Sequence, residues 1–196
     1  MKRFADKKFT KRTRFTRQCI GESILALAGQ KDFDSITVSD IAKKAGVSRM
    51  TFYHHFRDKS DALSNYLQEI INGYLETYPD TFRLFSSRKE ETIRRALCYF
   101  DQYAPLFVTL DQAGLHCLLI RAINEYMMLH AAPLYPGSVY DLYYYAGALL
   151  NVFLQWETSG KKEPADEIVQ ILVSLTPSRE ALPNSLPHRE DSPSYR

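Results

Sequence analysis

At 196 residues the chain can hold one domain with a sizeable buried core or two small ones, and 45% hydrophobic with 24% charged residues excludes a disordered chain or a fibre. The net charge of +2 hides a division: residues 1–60 carry 14 Lys and Arg against 6 Asp and Glu, and the remainder carries 11 against 17. A basic front on an acidic body points to a polyanion partner for the front alone.

In chain order, the opening MKRFADKKFTKRTRFTRQ is basic but lacks the apolar run and small-residue cleavage site of a secretory leader. It is expected to be an arm whose eight cations are Lys2, Arg3, Lys7, Lys8, Lys11, Arg12, Arg14 and Arg17. Such an arm either follows a phosphate backbone or serves as a solubilising tail. From about Thr13 to Gly29, Ile20, Ile24, Leu27 and Ala28 recur at helical spacing. A short helix is expected from Val38 to Ala45, begun by the Thr37 and Asp40 capping pair and stopped at Gly46. Ser48 caps a second, from Arg49 to His55, and Asp58 opens a longer helix reaching about Tyr78.

Further helices are expected over about Lys89–Tyr103, Leu106–Gln112, Leu115–Ala132, Ser138–Thr158 and Pro164–Leu175. Strand signals are nearly absent, so the expected fold is all-α. Residues 177–196 have no periodicity and four prolines, which reads as a disordered tail. The most apolar stretch, between Asp141 and Gln155, has 13 residues where a membrane helix needs roughly 20. Cys19, Cys98 and Cys117 are odd in number and far apart, which argues against a disulfide framework. A soluble, cytoplasmic protein is expected.

Two short helices joined by a turn containing Gly46 have the length and punctuation of a helix-turn-helix. Ile36, Val38, Ile41, Ala45, Val47, Phe52 and Phe56 would form its small core, with Ala42 allowing the helices to cross closely. The second helix then leaves Ser48, Arg49, Met50, Thr51, Tyr53, His54 and His55 outward, a mostly hydrogen-bonding set suited to a major groove.

The run from Thr37 to Ser48, followed by Thr51-Phe52-Tyr53, Phe56, Lys59 and Leu63, resembles the N-terminal domain of the TetR/AcrR family. The resemblance covers roughly residues 13–65. It implies an N-terminal three-helix helix-turn-helix DNA-binding domain, residues 1–58, and a larger helical effector-binding and dimerisation domain, residues 59–176. It also implies a homodimer on a partly palindromic double-stranded operator, most often as a repressor. Carried over by position, Arg49, Met50, Thr51 and His55 would meet base edges, and Tyr53 and Lys59 would meet phosphate. Thr37 and Ser39 would approach the backbone from the start of the first short helix. Because adjacent helical residues point about 100° apart, at most one of His54 and His55 faces bases.

The stretch from Val139 to Glu157 is apolar around almost its whole circumference. A helix of that kind is expected to be buried on all sides, in part against a second copy together with the helix bearing Ile168, Ile171, Leu172 and Leu175. The aromatic cluster has two readings. Phe107, Tyr126, Tyr143, Tyr144 and Phe153 either line a pocket for a small-molecule effector or fill core and interface. No catalytic motif, metal-ligand spacing or cofactor signature is present. The rival functional readings are a protein-interaction adaptor whose helix-turn-helix has lost its DNA, a partner-dependent regulator without a small-molecule effector, and a helical enzyme that transforms a small molecule.

Overall fold

The computed structural model describes residues 10–81, 88–135 and 138–175. Among them every regular element is a helix. Helix α1 runs Lys11–Ala28, and a short 3-10 turn, Phe33–Ser35, leads into α2, Val38–Ala45, and α3, Arg49–His55. Helix α4, Lys59–Thr77, is followed by α5, Lys89–Asp101, α6, Ala104–Gln112, and α7, His116–Tyr126. The pair α8, Val139–Thr158, and α9, Ala165–Ser174, completes the fold.

Local signals account for the first four helices. Thr10, Thr37, Ser48 and Asp58 each precede a helix and accept a hydrogen bond from the backbone N–H three residues on, satisfying a donor that the helix leaves unpaired. Gly46 ends α2 at φ 67°, a left-handed conformation that side-chain-bearing residues resist. Helix α1 packs across α2 and α4. A Cβ on Gly21 would run into the Tyr66 ring, so its absence lets α1 and α4 approach closely.

The core is continuous. Ile20, Ile24, Ile41, Phe52 and Phe56 meet Leu63 and Leu67 of α4, and α4 carries the apolar packing on to Ile71, Leu119 and Phe153. Helix α4 thus belongs to both halves. Helices α6 and α7 pack on α8, and α9 lies along α5.

Two expectations shift. Helix α1 begins at Lys11 and not at about Thr13, so Lys11 and Arg12 join Arg14 and Arg17 in the helix. The expected single helix from Leu115 to Ala132 is interrupted: α7 stops at Tyr126 and Met127–Ala131 widen into a π-helical turn. Helix α8 leaves Tyr140 78% and Tyr144 53% exposed within one chain. The expected arm over residues 2–9 and the tail over residues 177–196 lie outside the described residues.

Candidate nucleic-acid interface

The starts of α2 and α3 are fixed by hydrogen bonds that the sequence places three residues apart. The Thr37 hydroxyl accepts from the Asp40 N–H at 3.2 Å, and the Asp40 carboxylate accepts from the Thr37 N–H at 3.0 Å and its O–H at 2.8 Å. The same carboxylate takes the Lys31 ammonium at 2.8 Å. That bond, then those from Thr37, hold the Asp40 carboxyl well below the usual carboxylate range. One consequence is electrostatic: the acid at the start of α2 is neutralised before any polyanion approaches. At α3, Ser48 Oγ accepts from the Thr51 N–H at 2.9 Å and shares a second 2.9 Å bond with the Thr51 hydroxyl.

Phe52 is fully buried and orients α3. At 100° per residue, Met50 and His54 lie opposite it, with Arg49 and Tyr53 to one side. Met50 is 78% exposed, Tyr53 is 50% exposed, and Arg49 and His54 are also exposed. These four side chains form one outward face with no acid among them. Thr51 is half-buried beside Ser48, which is exposed, and Ser39 is exposed on the first turn of α2. His55 turns inward against Phe56, with ring centroids 6.2 Å apart. Burial first, then His54 and Arg17, pushes the His55 pKa below its ordinary 6.5. Of the two histidines, His54 therefore presents to the outside.

Lys59 requires a correction. Its ammonium donates to the carbonyls of Phe33, Ile36 and Asp34 at 2.6, 3.0 and 2.9 Å and lies 4.7 Å from the Phe33 ring centroid. An ammonium has three N–H groups, and all three are taken. The structure thus gives Lys59 the task of fastening the 3-10 turn to α4, in place of the phosphate contact implied by the resemblance.

The second candidate site lies on the body side of α4. A cavity of about 130 Å³ opens among α4, α5, α6, α7 and α8. Phe107, Tyr126 and Phe153 line it, and all three are also buried in the core. Tyr143 and Tyr144 do not; they stand 44% and 53% exposed on the outer face of α8.

The sequence profile of bacterial regulatory proteins, tetR family, matches residues 20–63, the span from α1 to the first turn of α4. Over that span the chain is similar to the TetR family. An uncharacterised HTH-type transcriptional regulator of Bacillus subtilis is 32% identical over 79% of this chain and 44% of its own length. An HTH-type transcriptional regulator of Staphylococcus aureus is 29% identical over 65% of each protein. The chain thus spans less than two thirds of either relative's length. The fold extends further than the sequence likeness. The Listeria innocua protein Lin0861 superposes with a TM-score of 0.72 at 18% identity, over 87% of this chain and 93% of that one. The transcriptional regulator FadR from Bacillus subtilis, in complex with stearoyl-CoA, gives 0.52 at 15% identity, over 81% and 96%.

The sequence reading missed one group that holds the interface in place. Arg17, counted there as an arm cation, is 7% exposed. Its Nε donates to Glu69 at 2.9 Å, a second guanidinium nitrogen donates to Asn65 at 2.9 Å, and the group lies 4.6 Å from the Phe56 ring centroid. The available signal was Asn65 and Glu69 four apart on α4, facing a cation that falls on the apolar side of α1 with Ile20 and Ile24.

Proposed function

We propose that the chain is a cytoplasmic transcriptional repressor that binds a two-fold symmetric DNA operator as a homodimer and leaves it when a small effector binds. The observation that carries this reading is the outward face of α3, where Arg49, Met50, Tyr53 and His54 stand together on a helix capped by Ser48 and anchored by Phe52. Arg49 forks onto guanine O6 and N7, Met50 and Thr51 meet thymine methyls, and His54 offers a hydrogen bond to a base edge or phosphate. The Tyr53 hydroxyl, the exposed Ser39 and Ser48, and the α2 N-terminus at Thr37 supply phosphate contacts that set register without reading sequence. His55 supports the helix from behind. Residues 1–58 form the DNA-binding part and residues 59–176 the effector and dimer part.

The dimer reading is supported by apolar side chains left open on α8 and α9. Tyr140, Tyr143, Tyr144, Ile171 and Leu175 are all exposed, and the Tyr144 hydroxyl donates to the Leu175 carbonyl at 3.4 Å, which brings the two exposed sets together. A two-fold four-helix contact would cover them. The effector reading is supported by the cavity and by the stearoyl-CoA held by the FadR protein of this fold.

Helix α4 links the two events. Tyr74 near its end lines the cavity, while Lys59 at its start holds the DNA-binding part. An effector that prefers a tilted α4 moves the two α3 helices of the dimer off the ~34–36 Å spacing of one DNA turn. The test is selection of binding sites from random duplex DNA with the purified protein and no added effector. Enrichment of a two-fold symmetric motif is expected. A folded dimer that enriches nothing would overturn the operator reading and bring the adaptor forward.

A further inference from the structure

The cavity states the chemistry of its occupant. Its lining is hydrocarbon and aromatic ring, and among the described residues no Asp, Glu, Lys, Arg or His contributes to it. Of its six hydroxyls among the described residues, those of Tyr74, Thr81, Thr92 and Tyr135 are committed within the protein. Tyr74 and Thr81 share a buried 2.8 Å bond, Thr92 donates to the Arg88 carbonyl at 3.1 Å, and Tyr135 donates to the Asp141 carboxylate at 3.3 Å. Burial raises the pKa of Tyr74 and Tyr145 and lifts Tyr135 to about 12, so these phenols stay neutral in the physiological range. A carboxylate, phosphate or ammonium entering this space would lose its hydration without gaining a counter-charge, which costs several kcal/mol.

Size and shape narrow the class. A dry apolar cavity of about 150 Å³ holds one benzene molecule, and the volume here is about 130 Å³. One wall is a run of rings meeting edge to face: Phe100 with Phe107 at 5.7 Å and 90°, and Phe107 with Phe153 at 5.7 Å and 84°. An aromatic guest continues that pattern, since ring edges and faces carry opposite partial charge. Met127 lines the cavity where the π-helical turn begins, and an unbranched thioether adapts to small substituents.

We propose that this cavity takes an uncharged molecule of about one aromatic ring, with no ionised group inside it. The proposal rests on the effector reading of the same cavity and names the ligand class. Asp141, accepting from Tyr135 beside the lining, adds a negative charge that disfavours anions further.

The experiment uses the purified full-length chain with three probes in sealed cells: toluene, benzoate and octanoate. Calorimetric titration and thermal unfolding read binding, and a labelled operator duplex reads release. Toluene at about ten times its Kd is expected to raise Tm by about 3–6 °C, and the two carboxylates to leave it unchanged. Ala146→Leu, and independently Ala96→Leu, project a larger side chain into the cavity from α8 and α5 and are expected to abolish the toluene response. Circular dichroism verifies that each variant folds. Benzoate or octanoate binding as tightly as toluene would overturn the proposal, as would a folded wild-type protein that answers none of the probes. Toluene binding that leaves operator affinity unchanged would uphold the ligand class and sink the regulatory reading instead.

Discussion

The two ends of α4 are built in opposite ways. On the DNA-binding side, α1, α2, α3 and α4 each start with a side-chain cap, from Thr10, Thr37, Ser48 and Asp58. Their core is filled around Phe52, and the Lys59 and Arg17 clamps tie the unit to α4. On the other side α5, α6, α7 and α9 start with no side-chain cap, and only α8 has one, from Ser138. That half also holds the cavity, the π-helical turn and the exposed tyrosines. Under the proposed function, a reading head must keep its shape to within a base-pair contact, whereas a domain that responds to a ligand needs space and alternatives. The contrast assigns rigidity to the front and adaptability to the body, with α4 as the element they share.

The sharpest way to break that comparison is to open space in the front and fill it in the body. Phe52→Ala should cost about 3–5 kcal/mol in urea unfolding, because a buried ring leaves a cavity in a core that cannot collapse. Ala146→Leu should cost far less or stabilise, since room already exists beside it. Equal losses would erase the distinction. The clamps come next. Lys59→Met and Arg17→Met should each lower stability by about 1.5–3 kcal/mol, the range for hydrogen bonds to charged groups. The salt slope of DNA binding should stay unchanged in the Lys59 variant. A slope lower by about one per half-site would restore its phosphate contact.

Arg49→Ala sharpens the comparison from the opposite direction. It should leave Tm almost unchanged, as an exposed substitution does. It should also weaken operator binding by about 1–3 kcal/mol per half-site and relax preference at one base position in a competition assay. The smallest effect concerns His55. Its folded-state pKa lies below 6.5, so the unfolded chain binds the proton more readily, and stability falls as pH drops from 6.5 through the folded value. His55→Asn should flatten that part of the stability profile. An identical profile in the variant would show that the proton goes elsewhere, with His130, also depressed by burial, the next candidate.

What the sequence determined by itself was local. The bounds of α2 and α3, the turn at Gly46, and the caps at Thr37 and Ser48 follow from interactions three or four residues long, and such interactions are written in adjacent letters. Arg49, Met50, Tyr53 and His54 of the outward set on α3 were legible for the same reason, since one buried Phe52 fixes the facing of a seven-residue helix, whereas Thr51 and His55, also expected outward, are half-buried. Where the reading failed, the deciding partner was distant. Lys59 looked like a free cation until the Phe33 carbonyl, 26 residues earlier, took its ammonium, and Arg17 looked like part of an arm until Glu69, 52 residues later, drew it inside. The tyrosines of α8 divide the same way: Tyr144 is exposed while the adjacent Tyr145 lines the cavity, because of what the other helices place against each face. Helical spacing says which residues share a face. Only the packed structure decides which faces meet, because burial is a property of neighbours that the chain brings together from far along its length.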